Sequence, residues 1–258
     1  FASKGYSKTY KGFSKNIKIN EEYVNEIIKP LRNTQKQLFE KTIVWDCGNG
    51  ASGPSVEMLT TRIPGKHVVL YSKVDGNFPN HHPDPTDKST LKILVKKMQE
   101  TGAELGIALD GDGDRIGVID KQGRAIPGDL LTAFLANSIT TNDKENQTII
   151  LDIKSSYIAY ENIISLGFKA EIGKTGHSNI KKRLKEIKSP LAGEMSGHIF
   201  FGDTYFGYDD ALYAAIRLLT LTANNFELDK FISNLPKTFV SPEIKVFCSD
   251  KIKFSAIH

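Results

Sequence analysis

The feature that most constrains the fold of this chain is a regular alternation between short apolar runs and amphipathic segments. Runs of five residues at 42–46, 105–109 and 148–152 have the length and composition of buried strands. Between such runs, the segment 91–98 places Leu, Leu, Val and Met at i, i+3, i+4 and i+7, which is the apolar stripe of a core-facing helix. Alternating strands and helices predict an α/β protein with a mostly parallel sheet.

The alternation occurs twice along the 258 residues, and a turn-forming Lys-Gln-Gly-Arg sequence at 121–124 lies between the two halves. We therefore expect two consecutive three-layer α/β domains with mixed, mostly parallel sheets. We expect these domains at 21–125 and 126–240, with residues 1–20 and 241–258 outside them.

Local patterns give more specific expectations for the helices. Residues 21–40 are predicted to be helical, with a break or kink at Pro30 because proline cannot donate the backbone hydrogen bond. Asp87 is a candidate N-cap for the helix that carries the stripe at 91–98. Further helices are predicted at 129–139 and, with a basic surface, at 178–187.

Composition and charge exclude several classes of protein. No apolar run approaches the roughly 18 residues that a membrane-spanning helix needs. The net charge of +4 is small and spread along the chain, so it is weak evidence for nucleic acid and compatible with a site for small anions. The two cysteines, Cys47 and Cys248, form no zinc-binding motif and suit a reducing compartment, which predicts a cytoplasmic protein.

The most informative local motif is Asp110-Gly-Asp112-Gly-Asp114-Arg115, directly after the apolar run 105–109. Three carboxylates this close repel one another unless a cation offsets their charge. Ligands that are all oxygen favour Mg²⁺ over Zn²⁺. Asp110, Asp112 and Asp114 are therefore the predicted metal ligands, and a plain acidic surface turn is the alternative.

Two other kinds of site have similar acidic loops. An EF-hand would need glycine at the sixth position and glutamate at the twelfth, and those positions hold Arg115 and Lys121. A phosphatase of the haloacid-dehalogenase type also places Asp-x-Asp after a strand, which Asp110 and Asp112 satisfy. The phosphatase remains an alternative at this stage.

Two further polar turns have the character of ligand sites. Lys174-Thr175-Gly176-His177 precedes the basic helix, whose amino end would favour phosphate; ordinary capping by Thr175 or Ser178 is the alternative. In the turn 193–198, Glu194 and Ser196 are two residues apart on an extended segment and face the same way. Lys154 adds a cation at an expected strand end, where open α/β sheets hold ligands.

A glycine-rich turn at 48–53 fits the pattern G-x-G-x-x-G of dinucleotide sites. The acidic residue expected about 20 positions later is Asp75, which lies in a loop-like sequence rather than at a strand end. A tight structural turn is therefore the preferred interpretation. The adjacent His81 and His82 are explained better by loop polarity than by a metal site.

Together these motifs resemble the α-D-phosphohexomutase superfamily, and most closely its bacterial phosphomannomutase/phosphoglucomutase group. The resemblance covers residues from about 21 to 246. It is carried by the segments 110–115, 174–177 and 193–198, with further similarity at 46–50, 74–79 and 206–210.

The resemblance implies an enzyme that moves phosphate reversibly between O1 and O6 of a hexose through a phosphoserine. Hexose phosphates and a hexose 1,6-bisphosphate would be its ligands, and Mg²⁺ its cofactor. The implied metal ligands are Asp110, Asp112 and Asp114. The implied catalytic residues are Arg115, Lys154 and His198, and the implied substrate-binding residues are Lys174, Thr175, Gly176, His177, Glu194, Ser196 and His198.

Two segments of that family have no counterpart in this sequence. The Thr-Ala-Ser-His-Asn-Pro type of loop that carries the nucleophile is not found, nor is the Arg-x-Ser-Gly-Thr-Glu-Pro type of phosphate clamp. The resemblance therefore implies the second and third of four domains, a metal-binding domain at 21–125 and a sugar-binding domain at 126–240. Residues 1–20 would be a remnant of a first domain or a linker, and residues 241–258 the start of a truncated fourth domain. We expect no mutase activity from this chain alone. A sugar-phosphate-binding protein without chemistry is the remaining alternative.

Overall fold

A computed structural model of the chain describes residues 13–33 and 40–237, together with the single positions 248, 249, 252 and 255. The expectations for residues 1–12, for the helical continuation over 34–39 and for a truncated domain after 240 lie outside these described ranges. Within them, none of the helices combines the length and apolar composition that crossing a bilayer requires.

The first half of the described chain is built on a five-stranded sheet with the order β2-β1-β3-β4-β5. Strands β1, β2 and β3 are parallel; β4 pairs antiparallel with β3, and β5 pairs antiparallel with β4. The elements are α1 (Asn20–Ile27), β1 (Thr42–Asp46), α2 (Gly53–Thr60), β2 (Lys66–Leu70), α3 (Lys92–Thr101), β3 (Leu105–Leu109), β4 (Ile116–Asp120) and β5 (Ala125–Ile126).

The second half repeats this architecture on a four-stranded sheet with the order β7-β6-β8-β9. Strands β6, β7 and β8 are parallel and β9 is antiparallel. The elements are α4 (Gly128–Leu135), β6 (Thr148–Asp152), α5 (Tyr157–Ser165), β7 (Lys169–Gly173), α6 (His177–Ile187), β8 (Leu191–Gly193), β9 (Ile199–Phe201), α7 (Ala211–Ala223) and α8 (Leu228–Asn234).

Each sheet is covered by helices on both faces, which confirms the expected three-layer α/β architecture. Successive strand residues point to opposite faces; in β6, Ile149 and Leu151 enter one core while Ile150 enters another. Helices α3 and α6 cover the outer faces with small separate clusters. The inner faces share one continuous core, and the buried helix α7 belongs to it.

Most predicted elements are present, and the differences have local causes. Helix α1 ends at Ile27, and a 3₁₀ turn over Lys29–Asn33 accommodates Pro30, as the sequence predicted. Asp87 is not a helix cap: its Oδ1 accepts a hydrogen bond from the Ser89 amide in a local turn, and α3 begins five residues later. Helix α4 is shorter than the predicted 129–139 because it tightens into a 3₁₀ turn after Leu135.

This topology decides where the polar motifs lie. The carboxyl ends of parallel strands lie at the same edge of a sheet, so β1 and β3 deliver Asp46 and the acidic loop 110–115 together. In the second sheet, β6, β7 and β8 deliver Asp152 and the turns 174–177 and 193–198 in the same way.

Candidate active site

The acidic loop is organised around the carboxylate of Asp110, whose side chain is almost fully buried. Its Oδ1 accepts backbone hydrogen bonds from Gly113, Asp114 and Arg115 at 2.9–3.1 Å. Its Oδ2 accepts a bond of 2.7 Å from Nε of Arg115. Burial would raise the pKa of Asp110, but the hydrogen bonds and charge of Arg115 outweigh it and lower the pKa.

The three aspartates of the loop converge, each offering one oxygen atom within 4.8 Å of the others. Burial, together with the charges of Asp110 and Asp112, raises the pKa of Asp114 to about 6 even though His198 opposes the shift. Asp112 is exposed and makes no hydrogen bond or ion pair with any described residue. A cluster of oxygen donors with excess negative charge fits a hard divalent cation.

The glycine-rich turn 48–53 packs against the backbone of the acidic loop. The amide of Ala51 donates to the carbonyl of Gly111 at 2.9 Å. A Cβ atom at Gly50 would lie 2.8 Å from the carbonyl oxygens of both Asp110 and Gly111. The pattern that resembled a dinucleotide site therefore reflects a close backbone approach.

Arg115, the last residue of the acidic loop, contacts residues outside the loop. Besides Asp110, its guanidinium reaches Oδ1 of Asp84 at 3.3 Å. Its backbone pairs with that of His198 in an isolated antiparallel bridge. The acidic loop of the first sheet and the polar turn of the second are therefore joined directly.

Glu194 occupies the centre of the second polar turn and is buried. Its Oε1 accepts a hydrogen bond of 2.7 Å from the amide of Gly176, and its Oε2 accepts one of 3.2 Å from the hydroxyl of Ser196. Glu194 and Ser196 thus lie side by side, and Glu194 also holds the turn 174–177 in place.

Asp152 is a site residue that the sequence patterns did not single out. It is completely buried at the end of β6. Its carboxylate accepts hydrogen bonds from the hydroxyl of Thr175 at 2.7 Å, the hydroxyl of Ser155 at 2.8 Å and the amide of Met195 at 3.2 Å. Both polar turns are therefore tied to one carboxylate, and Thr175 is not a helix cap.

Asp209 is a second residue that the sequence analysis left without a role. Its Oδ1 accepts a hydrogen bond of 2.9 Å from Nζ of Lys181. Its Oδ2 lies 3.0 Å from Nδ1 of His198 and 3.3 Å from Nδ1 of His177. Burial would raise the pKa of Asp209, but His198 and Lys181 outweigh it and lower the pKa.

His198 connects this group to the acidic loop. Its Nδ1 lies 3.5 Å from Oδ1 of Asp114, and its ring stacks on that of His177 with 5.5 Å between centroids. Burial would lower the pKa of His198, but the carboxylates of Asp209 and Asp114 outweigh it and raise the pKa. In the sequence, the family similarity of the segment 206–210 was the signal that could have pointed to Asp209.

Two predicted site residues are not engaged with the rest. Lys154 and Lys174 are exposed, and neither side chain forms an ion pair or hydrogen bond with a residue in the described ranges. Both follow parallel strands at the edge that carries the polar turns. They are free to meet a ligand that approaches this edge.

Two cavities lie away from these residues. One, of about 290 Å³, is lined by Ile43 and Leu105 at the amino ends of their strands and by Phe226 and Leu228. The other, of about 490 Å³, surrounds Arg217. Neither of these two cavities is lined by a residue of the acidic loop or of the two polar turns.

Two family profiles match the chain. Residues 21–123 match the profile described as phosphoglucomutase/phosphomannomutase, alpha/beta/alpha domain II. Residues 127–239 match the profile of alpha/beta/alpha domain III of the same family.

Individual relatives agree with these matches. A phosphomannomutase/phosphoglucomutase from Pseudomonas putida is 38% identical over 242 residues, which is 93% of this chain and 51% of that protein. The crystal structure of a phosphoglucomutase/phosphomannomutase family protein from Burkholderia thailandensis superimposes with a TM-score of 0.79 at 37% identity, covering 87% of this chain and 48% of the other. The chain therefore spans about half the length of these relatives.

A more distant structure shares the fold. It is an N-acetylphosphoglucosamine mutase from Aspergillus fumigatus in complex with GlcNAc-6P and magnesium, with a TM-score of 0.64 at 14% identity. The superposition covers 84% of this chain and 54% of that one.

Proposed function

Because the chain belongs to the phosphoglucomutase/phosphomannomutase family, we propose that it supplies the metal-binding and sugar-binding parts of a phosphohexomutase. The reaction is the reversible transfer of phosphate between O1 and O6 of a hexose through a phosphoserine. The observation that carries this proposal is the backbone bridge between Arg115 and His198, since it places the acidic loop beside the turn that holds Glu194 and Ser196.

In this proposal the acidic loop holds Mg²⁺ through Asp110, Asp112 and Asp114, whose converging oxygens suit that ion. Bound there, Mg²⁺ would neutralise charge on a phosphoryl group in transfer. Arg115 faces the same phosphate, and its contact with Asp110 keeps the guanidinium in place.

The polar turns would bind the sugar phosphate. Glu194 and Ser196 hydrogen-bond to sugar hydroxyls, because they lie side by side and hydroxyls both donate and accept. The turn Lys174, Thr175, Gly176 and His177 contacts a phosphate at the amino end of α6, which has no side-chain cap. Lys154 and His198 are the candidates for moving a proton or positioning the substrate.

In this proposal, each of the two sheets belongs to a domain with its own binding role. Residues 21–125 form the metal-binding domain and residues 126–240 the sugar-binding domain. The partners of this chain in catalysis are the first and fourth domains of the family. We place the reaction in the cytoplasm because two isolated cysteines suit a reducing compartment.

The phosphatase alternative gains no support from the geometry. A haloacid-dehalogenase type of mechanism would need the carboxylate of Asp110 as a nucleophile. That carboxylate is 1% exposed, and four N–H donors occupy its two oxygens. An aspartate held in this way organises a loop and is a poor nucleophile.

Calorimetry combined with a mutase assay tests the proposal. The chain of 258 residues should bind glucose 1,6-bisphosphate in the presence of Mg²⁺, and Glu194→Ala should weaken that binding more than tenfold. The same chain should not interconvert glucose 1-phosphate and glucose 6-phosphate, because its sequence contains no phosphoserine loop. Failure to bind the bisphosphate, or substantial turnover, would contradict the proposal.

The affinity for the metal gives a second readout. Mg²⁺ alone should bind weakly, with a dissociation constant of about 1 mM, because the oxygens of Asp110 are already shared with four donors. Asp112→Asn should weaken Mg²⁺ binding further without unfolding the chain, since Asp112 is exposed. Micromolar binding of Mg²⁺ alone would contradict this view of the loop.

A further inference from the structure

The guanidinium of Arg115 contacts two carboxylates that come from different parts of the chain. Its Nε donates a hydrogen bond of 2.7 Å to Oδ2 of Asp110, within the acidic loop. Its Nη1 donates one of 3.3 Å to Oδ1 of Asp84, in the segment before α3. Its Nη2 forms no hydrogen bond with any residue in the described ranges, and the Arg115 side chain is 27% exposed. Since a guanidinium has five N–H donors, the edge formed by Nη1 and Nη2 keeps donors for a ligand.

Asp84 is itself fixed by a tight turn. Its Oδ1 accepts hydrogen bonds from the amide of Thr86 at 3.0 Å and from the hydroxyl of the same residue at 2.7 Å. Its backbone carbonyl accepts one of 2.8 Å from the hydroxyl of Thr90. The residues on either side, Pro83 and Pro85, are buried, and proline restricts the backbone. The carboxylate of Asp84 therefore has a defined position from which it contacts the guanidinium.

The contact between Arg115 and Asp84 has a geometric consequence that outweighs its contribution to stability. The two side chains are 27% and 29% exposed, and solvent screens an ion pair at such exposure. A carboxylate at this place also repels a phosphate that approaches Arg115. A single hydrogen bond through Nε fixes only one direction of the planar guanidinium. A second contact, through Nη1, fixes its plane and thus the direction in which the free donors point.

We propose that Asp84 is a positioning residue, which fixes the guanidinium of Arg115 so that its Nη1–Nη2 edge receives a phosphoryl group. The inference rests on the proposed function, in which Arg115 faces the phosphate of a hexose phosphate. Asp84 touches no substrate and acts through Arg115. This role and the charge of Asp84 have opposite effects on affinity. Loss of the positioning contact weakens phosphate binding, whereas loss of a repelling charge alone would strengthen it.

The experiment compares Asp84→Ala and Asp84→Asn with Asp87→Ala in the full chain of 258 residues. Asp87 is the matched control: it caps a similar local turn through the amide of Ser89, and within the described part of the chain it makes no ion pair with Arg115. Calorimetry with glucose 1,6-bisphosphate and Mg²⁺ measures the affinity. Carbon-13-detected NMR without ligand measures how fast the Arg115 guanidinium rotates about its Nε–Cζ bond, which reports whether Nη1 is held.

Asp84→Ala should weaken binding of the bisphosphate by about fivefold and speed the rotation by about threefold, because Nη1 loses its acceptor. Asp84→Asn keeps an acceptor oxygen and should restore most of both values, and Asp87→Ala should change each by less than about twofold. The proposal is overturned if Asp84→Ala binds the bisphosphate at least as tightly as the natural chain, or leaves the rotation unchanged. If the natural chain does not bind the bisphosphate, the proposed function fails, and the rotation alone decides whether Asp84 holds Arg115.

Discussion

The backbones of Arg115 and His198 form an antiparallel bridge, and the adjacent amide of Ile116 donates to the carbonyl of Gly197 at 3.1 Å. These contacts join the start of β4 in the first sheet to the turn before β9 in the second. The acidic loop and the turn 193–198 therefore keep a defined separation.

The first prediction concerns Gly128, at the amino end of α4. A Cβ atom there would lie 2.3 Å from the carbonyl oxygen of Glu194 and 2.8 Å from the amide of Gly197. Gly128→Ala should destabilise the chain by about 1–3 kcal/mol, because backbone atoms cannot yield as a flexible side chain can. Urea unfolding measures this free energy.

Gly76→Ala is the matched control for that substitution. No heavy atom lies within 4 Å of a Cβ at Gly76, and its backbone has no positive φ. The control should change the free energy of unfolding by less than about 0.5 kcal/mol. If Gly128→Ala stabilises the chain, as alanine often does in a helix, the close packing of α4 on the turn 193–198 is wrong.

The second prediction concerns the carboxylate of Asp152. Asp152→Ala removes the acceptor for Thr175, Ser155 and the amide of Met195, and it should cost about 1–3 kcal/mol because these three partly buried hydrogen bonds are lost. Asp152→Asn should cost less, since its NH₂ group can donate to the hydroxyl of Thr175, which can accept. Both variants are compared by urea unfolding; equal losses would show that these hydrogen bonds do not support the turns.

The third prediction concerns pH. Both oxygens of Asp46 lie 3.1–3.2 Å from Nε2 of His81. The hydrogen bond to Asp46 raises the pKa of His81 above its ordinary value, against the opposing effect of burial. A raised pKa in the folded state means that this contribution to stability is complete below the ordinary pKa of about 6.5 and is lost as the pH rises through the folded value.

His81→Gln should therefore lose more stability relative to the natural chain at about pH 5 than at about pH 9. His82→Gln is the matched control because His82 is exposed, and it should change stability by less than about 0.5 kcal/mol. Urea unfolding at several pH values measures both. A difference that grows with rising pH would contradict the pairing of His81 with Asp46.

The parts of the fold that could be predicted from the sequence are those encoded by local patterns. The apolar run 105–109 is strand β3 with the predicted bounds, and the stripe at 91–98 packs Leu94 and Met98 into the outer core. Asp87 was misjudged because aspartate favours turns as well as helix starts, and its hydrogen bond to Ser89 is the turn form. Sequence spacing could not distinguish the two.

The parts of the candidate site that could be predicted are short segments in which several polar side chains lie close together in sequence. The acidic loop and the turns 174–177 and 193–198 are such segments, and the structure brings the ends of the two sheets that carry them together at the bridge between Arg115 and His198. The part that Asp152 and Asp209 play in the candidate site could not be predicted, because it depends on partners that are distant in sequence. Asp152 accepts a hydrogen bond from the amide of Met195, and Asp209 accepts one from Lys181. The shared inner core around α7 was likewise not visible in either repeat alone.

The most direct test of the central claim is to locate the bound sugar phosphate on the chain by amide chemical-shift changes in solution. With Mg²⁺ and glucose 1,6-bisphosphate, the account predicts saturable changes concentrated at residues 110–115, 174–177 and 193–198. In Glu194→Ala the same changes should require more than tenfold higher ligand concentration. Changes concentrated instead around Arg217 and its cavity, with the two polar turns unaffected, would contradict the assignment of the site.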